Sequence, residues 1–163
     1  MITAVLLTII ALPLVGSACG EVSTATISPL SQTVAPGQTF TVDVVINPVV
    51  PIAGAQFYLE FDPSLLTAIS VSEGNLLNQD GFNTFFRPRI IDNVQGSISG
   101  VASVIITPGG TANAPGTLAT ITFIAGTNEG TSPLYLKNVI VGDKEGQQVV
   151  VQVSSGSVTI SNQ

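Results

Sequence analysis

Residues 53–66 read Ala53-Gly-Ala-Gln-Phe-Tyr-Leu-Glu-Phe-Asp-Pro-Ser-Leu-Leu66, and their pattern indicates the fold class. Apolar and polar residues alternate along it, so a β-strand would bury one set of positions and expose the other. The buried set is Ala55, Phe57, Leu59 and Phe61, and the exposed set is Gln56, Tyr58 and Glu60. Asp62 can cap a following helical turn, whose first position suits Pro63. The stretch predicts a half-buried strand that ends in a capped turn.

Similar alternation along the rest of the chain predicts further strands. They lie at residues 40–46, 96–105, 118–124, 134–141, 149–153 and 156–160. Turn signals such as Pro36-Gly37 and Pro108-Gly109-Gly110 separate the strands. Short strands at this spacing predict an all-β fold, a sandwich or a barrel. Its predicted core contains Val42, Val44, Phe57, Leu59, Phe61, Ile121 and Phe123.

The composition excludes several classes of function. The chain has 163 residues, ten of them acidic and four basic, which gives a net charge of −6. Such a charge excludes a nucleic-acid reader and disfavours binding to anionic lipid surfaces. There is no His and only one Cys. A Ser-His-Asp triad, an internal disulfide and a cysteine-clustered zinc site are therefore impossible.

The first 18 residues are predicted to be an export signal. Residues 1–15 are almost wholly apolar and uncharged, and the small residues Gly16-Ser17-Ala18 precede Cys19. Signal peptidases cut after residues of this kind, and a small residue before a lone Cys also fits acylation of Cys19. Plain cleavage, lipidation of Cys19 and an uncleaved membrane anchor all stay open. Each of them places residues 22–163 outside the cytoplasm, in the medium or attached to the cell surface.

Three stretches taken together resemble a known family. Val34-Ala-Pro-Gly-Gln-Thr-Phe-Thr-Val-Asp-Val44 comes first, and the stretch at residues 53–66 follows. Gly116-Thr-Leu-Ala-Thr-Ile-Thr-Phe123 then leads to Leu134-Tyr-Leu-Lys-Asn-Val-Ile-Val141. This order resembles a cohesin domain, the module that holds dockerin domains in cellulosomes and related assemblies. The resemblance spans roughly residues 22–160, and Phe-Asp-Pro-Ser-Leu-Leu is its most specific part.

The resemblance implies a two-sheet jelly-roll sandwich of about nine strands. It also implies a dockerin-bearing partner that is bound in a calcium-dependent way, with the calcium held by the dockerin and no cofactor in this chain. The partner would dock on one sheet, built from the third, fifth, sixth and eighth strands. Carried onto this sequence, these strands are residues 54–61, 84–91, 96–105 and 134–141.

The expected partner-binding residues follow from this face. They are Gly54, Gln56, Tyr58, Glu60, Arg87, Arg89, Ser99, Val101, Ser103, Tyr135 and Lys137. Alternation points Tyr58 and Tyr135 outward, where exposed aromatic rings can anchor a partner. Well-studied cohesins carry an Asn and an Asp where this chain has Gly54 and Gln56. The dockerin specificity of those cohesins therefore does not transfer to this chain.

Carbohydrate binding and glycoside hydrolysis are the alternatives to dockerin binding. A carbohydrate-binding module shares this kind of sandwich but needs an exposed aromatic platform, and the chain has no Trp and two Tyr. Phe82, Phe85 and Phe86 leave that alternative open. Glu60 with Asp62 suggests paired carboxylates for glycoside hydrolysis, but the sequence places no further acidic partner beside them. We therefore expect no enzyme, no catalytic residue and no metal site, and a module that could serve a polysaccharide-degrading or cell-surface assembly.

Overall fold

The protein is an all-β sandwich, seen here in a computed structural model that describes residues 21–88 and 90–162. The predicted export segment, Cys19 and Arg89 lie outside the described residues. No helix in the described part of the chain is long and apolar enough to cross a membrane. The strands are β1 Ser23–Ser28, β2 Ser31–Val34, β3 Thr39–Asn47, β4 Gly54–Glu60, β5 Leu66–Glu73, β6 Thr84–Arg87, β7 Ile91–Asp92, β8 Ser97–Ile105, β9 Gly116–Ala125, β10 Gly130–Gly142, β11 Gln148–Val149, β12 Val151–Ser154 and β13 Gly156–Ile160.

The predicted count of about nine strands agrees with these elements once broken strands are counted as one. The breaks separate β1 from β2, β6 from β7, β11 from β12 and β12 from β13, and the 13 described elements then make nine strands. Pro88 stands in the second break, where its missing N–H would interrupt a ladder. The strand predicted over residues 84–91 is therefore two short strands, β6 and β7.

Two sheets face each other across one core. The five-stranded sheet has the order β12-β1-β3-β9-β5. The eight-stranded sheet has the order β2-β13-β10-β4-β8-β6, with β11 paired to β10 and β7 paired to β8. Strand β4 thus lies in the middle of its sheet, and the four strands expected to share one face do share it. The fold class predicted from alternation and resemblance is confirmed.

The core forms where the predicted apolar faces meet. All seven residues expected there are buried, and Phe57, Leu59, Ile121 and Phe123 have no exposed surface. The Phe123 ring stacks on Phe40 at 5.7 Å between centroids and meets Phe61 edge-on at 5.2 Å. This aromatic contact joins β3 and β9 of one sheet to the end of β4 in the other, and it fixes which side of β4 faces outward.

The turn after β4 forms as the sequence predicts, but it does not grow into a helix. The amide of Leu66 donates to the carbonyl of Asp62 at 2.9 Å, which closes a single turn. The Asp62 carboxylate caps it, because Oδ1 accepts from the Ser64 amide at 2.9 Å and from the Ser64 hydroxyl at 2.6 Å. These two bonds hold the pKa of Asp62 below its ordinary value. Asp62 is therefore a structural cap.

Candidate functional site

The outer face of β10-β4-β8-β6 is the candidate site, and β4 runs along its centre. Strand β4 turns Gly54, Gln56, Tyr58 and Glu60 away from the core. This alternation arises because the other face of β4 is packed against the five-stranded sheet through Ala55, Phe57 and Leu59. Flanking strands then place their own outward residues beside these four.

Two tyrosines, one lysine and one glutamate form a compact group at one end of this face. Tyr135 of β10 pairs with Glu60 of β4, and Lys137 pairs with Tyr58. The Lys137 ammonium lies 2.5 Å from Oε2 of Glu60 and 5.6 Å from the centroid of the Tyr135 ring. Tyr58 is 37% exposed and Tyr135 is 49% exposed, so the predicted outward direction of both rings is confirmed. The group presents two aromatic rings with a neutralised charge pair between them.

A β-bulge lies on each side of β4, opposite Tyr58 in β8 and opposite Phe57 in β10. In β8, Val101 pairs with Phe57 and Ile98 with Leu59, so Ser99 and Gly100 together face Tyr58. Gly100 has φ of +60°, a conformation that L-residues with a side chain rarely adopt. In β10, Asn138 and Val139 bulge between Lys137 and Ile140, and Asn138 has φ of +49°. Bulges bend and twist a strand, so both neighbours of β4 change course at this point.

The bulge in β8 overturns two of the expected outward residues. Val101 has no exposed surface, and the Ser103 side chain is buried with its hydroxyl donating to Oε1 of Glu73 at 2.7 Å. The expectation that these two side chains point outward is wrong, because the extra residue at Gly100 shifts the alternation by one. Ser99, before the shift, does point outward, and beyond it Ala102 and Val104 take the outward positions.

A shallow trough occupies the other end of the face. Gly54 pairs with Gly142 on one side and with Val104 on the other, so two adjacent positions carry no side chain. Ile140 and Val104, 43% and 42% exposed, rise on either side. The cavity has a volume of about 300 Å³ and is lined in addition by Ala53, Ala55, Gln56, Ala102, Ser103 and Asp143. The face is therefore aromatic at one end and hollow and apolar at the other.

The edge strand β6 contributes a third feature. Phe85 pairs with Val104, Arg87 pairs with Ala102, and both side chains are exposed. Phe86 and Phe82 are partly buried and pack against the core. The three phenylalanines consequently do not form an exposed platform, since only Phe85 is fully outside the core.

Sequence reasoning missed part of this face. Phe85, Ala102, Val104, Ile140 and Gly142 were not among the expected contact residues. The signal for the two residues on β8 was Gly100, since an isolated glycine inside a strand pattern indicates a bulge. Ile140 follows a bulge at Asn138 that strict alternation does not foresee.

The opposite sheet presents a different surface. Thr41 is exposed there, and Asp43 accepts a hydrogen bond from the Thr120 hydroxyl at 2.5 Å.

Within residues 21–88 and 90–162, no three His, Cys, Asp or Glu side chains lie close enough together to hold a metal ion. On the candidate face, the Glu60 carboxylate is paired with the Lys137 ammonium, whereas the Asp62 carboxylate accepts hydrogen bonds from Ser64.

Comparison with known proteins agrees with this architecture. The family model described as Cohesin domain matches residues 25–160. The chain belongs to the cohesin family. A search of curated protein sequences gives no match.

Solved structures of cohesins share the fold of this cohesin at low sequence identity. A non-cellulosomal cohesin from Archaeoglobus fulgidus has 20% identity and a TM-score of 0.68, over 88% of this chain and 94% of that one. A type I cohesin–dockerin complex from Clostridium thermocellum has 18% identity and a TM-score of 0.70, over 86% of this chain and all of the matched one. The cohesin CaCohA2 from Clostridium acetobutylicum has 23% identity and a TM-score of 0.65, over 85% and 91%. These likenesses support the sandwich.

Proposed function

We propose that this cohesin is a protein-interaction module that binds a dockerin on the outer face of β10-β4-β8-β6. The observation that carries the proposal is the pair of exposed rings, Tyr58 and Tyr135, beside an apolar trough on one continuous sheet. Aromatic anchors surrounded by water-excluding neighbours are the usual source of binding energy at an interface. The cohesin–dockerin complex of Clostridium thermocellum, whose cohesin has the same fold, supports a partner of this class.

The face is suited to a folded partner with an apolar surface. Its outward residues are mostly small or neutral, and the charges of Glu60 and Lys137 balance each other. A partner that covers Glu60 and Lys137 together buries two charges that compensate each other, which costs less than burying either one alone. Arg87 at the edge can then pair with a carboxylate on the partner.

Calcium is proposed to act through the dockerin. Calcium sites take six to eight oxygen ligands, commonly from several closely spaced carboxylates. The described residues offer no cluster of three acidic side chains for that purpose. Binding would then depend on calcium because the dockerin needs it, and this chain would have no cofactor.

The proposal extends to location and role. The apolar segment at residues 1–18 favours export, with Cys19 as the residue that lipid would modify. A dockerin-bearing enzyme held in this way outside the cell would act as part of a surface or polysaccharide-degrading assembly. Direct carbohydrate binding is not favoured, because Phe82 and Phe86 pack against the core instead of forming a platform.

The deciding experiment is a pull-down with the immobilised full chain. The probes are the dockerin modules of the same genome, each offered with calcium and again with excess chelator. At least one dockerin should be retained with calcium and released by the chelator. A chain that retains no dockerin, or that retains microcrystalline cellulose instead, would overturn the proposal.

A further inference from the structure

Another cavity lies at one end of the sandwich, beside the start of β1. It has a volume of about 340 Å³, and five of its nine lining residues are valines, so we call it the valine cleft. Its valines are Val22, Val49, Val50, Val149 and Val150. Four of them are 42–78% exposed, which means that the described residues leave this apolar lining in contact with water. An uncovered apolar surface of this kind favours an apolar occupant.

The valine cleft is assembled from distant parts of the chain. Its walls are the residues before β1, the loop after β3 and the junction of β11 with β12. The hydroxyl oxygen of Ser23 accepts from the Val49 amide at 3.0 Å, which ties the loop to β1. Ser23 also pairs with Val151 of β12. The cleft therefore exists only once the first and last strands have met.

The charges at the cleft favour an uncharged occupant. Among the described residues that line it are Glu21 and Asp143, but no Lys or Arg. Anionic lipid would be repelled by these residues. A second copy of the domain would bring the same two acidic residues to the contact, on a chain whose net charge is already −6. An apolar segment without charge meets neither penalty.

Such a segment directly precedes the cleft in the sequence. Residues 1–18 carry no charge, and their last apolar group is Leu12-Pro13-Leu14-Val15. The seven residues from Val15 to Val22 span up to about 25 Å, enough to reach every part of the cleft. Gly and Ser, which favour turns, occur between them at residues 16, 17 and 20. A tether this short gives an effective concentration in the millimolar range, so even a weak contact is populated within one molecule.

We propose that residues 12–15, in a chain that keeps its export segment, dock in the valine cleft of the same molecule once the domain has folded. The folded domain then competes with the membrane for this segment, because the same apolar side chains cannot occupy the cleft and a bilayer together. The segment is free for export only before the last strands are in place. This inference goes beyond dockerin binding and does not require a dockerin.

The first experiment compares the full chain with Leu14→Asp by NMR of the backbone amides. Amide shifts should differ between the two at residues 49–50 and 148–151, which are far from Leu14 in the sequence. Thr8→Asp, which adds the same charge to the same segment outside the docking residues, is the matched control and should leave these amides unchanged. Differences confined to residues 21–23, or spread over the whole domain, would overturn the inference. Differences that disappear on dilution would also overturn it, because they would assign the cleft to a second copy.

The second experiment measures sedimentation of the full chain with phosphatidylcholine vesicles. Val150→Asp adds a charge to the cleft and should release the segment. Vesicle binding should then rise about tenfold, the order expected when a leucine side chain loses an apolar contact. Val94→Asp changes a similarly exposed valine outside the cleft and should leave binding unchanged. If the parent chain binds vesicles as strongly as Val150→Asp does, or if Val94→Asp has the same effect, the cleft does not hold the segment.

Discussion

Lys137 Nζ and Glu60 Oε2 lie 2.5 Å apart on neighbouring strands, diagonally across the square that Tyr58 and Tyr135 complete. The two charged side chains come from β10 and β4, and each is 48% exposed. The pair places a cation beside the Tyr135 ring without leaving an unbalanced charge between the two tyrosines.

This ion pair should contribute little to stability, because both partners are half in water. Glu60→Gln and Lys137→Met should each lower the free energy of unfolding by less than about 1 kcal/mol, and the loss should shrink in high salt. Urea denaturation at low and high ionic strength measures this. A loss above about 2 kcal/mol would contradict this prediction and show that the ion pair contributes strongly to folding stability.

The two tyrosines should dominate binding to a dockerin. Tyr58→Ala and Tyr135→Ala should each weaken it by roughly 1 kcal/mol or more, since exposed aromatic anchors bury the most area on association. Titration calorimetry with a dockerin that the chain retains measures the affinity of each variant, and circular dichroism checks that each variant is folded. Thr41→Ala on the opposite sheet is the control, and a loss of affinity there with the tyrosine variants unaffected would assign the face to the wrong sheet.

Two phenylalanines of the same sheet, Phe57 and Phe85, should contribute differently to stability because they differ in burial. Phe57 has no exposed surface, so Phe57→Ala should cost about 3–5 kcal/mol of unfolding free energy. Phe85 is exposed on β6, so Phe85→Ala should lower the free energy of unfolding by no more than about 0.5 kcal/mol. Denaturant melts of the two variants test the difference, and equal losses would contradict it.

The bulge at Gly100 should depend on its glycine. With φ of +60°, Gly100→Ala should cost about 1–2 kcal/mol, because a Cβ is strained in that conformation. Gly142→Ala on β10 is the comparison, since nothing lies within 3.9 Å of its added carbon, and its stability should stay near that of the parent chain. Thermal and urea unfolding of both proteins decide the matter. An unaffected Gly100→Ala would mean that the bulge is not held by backbone conformation.

The cap at Asp62 should respond to pH in a defined direction. Its folded pKa is lowered by bonds from Ser64, so its contribution to stability is present above the ordinary value of 3.8 and disappears as pH falls through the folded pKa. Ser64→Ala should raise the pKa of Asp62 toward 3.8 and reduce stability at neutral pH, and this loss of stability should shrink as pH falls through the folded pKa. Carboxyl carbon NMR follows the titration, with Ser70→Ala as control. An unchanged Asp62 titration would contradict the assigned cause.

Alternation along the sequence was enough to predict the buried faces of β3, β4 and β9. In β3 and β4 the side-chain period stays at two residues throughout, and in β9 it does so from Ala119 to Ala125. It was not enough for β8, where Ile98 and Val101 are both buried although they stand three residues apart. The bulge that accounts for this spacing depends on the conformation of Gly100, and pattern counting treats that residue as one more step in the strand.

The trough could not be predicted for a related reason. Gly54 and Gly142 are 88 positions apart in the sequence, and only the pairing of β4 with β10 makes them neighbours. Strands β1, β2 and β5 were also not specified, because their Ser- and Thr-rich stretches show weak contrast between the two faces. Their positions are set by partners elsewhere in the chain.

The pairing of the two ends of the domain has a consequence for the order of events in folding. Strand β1 lies parallel to β12, with Ser23 opposite Val151, and β2 lies parallel to β13, with Gln32 opposite Val158. Strand β1 can pair early with β3, but its ladder with β12 and the ladder of β2 with β13 close only after the last strands have left the ribosome, and such distant pairings form slowly. Both sheets therefore stay incomplete until the final residues are made, and because a translocation channel passes an incompletely folded chain, this topology favours the proposed export.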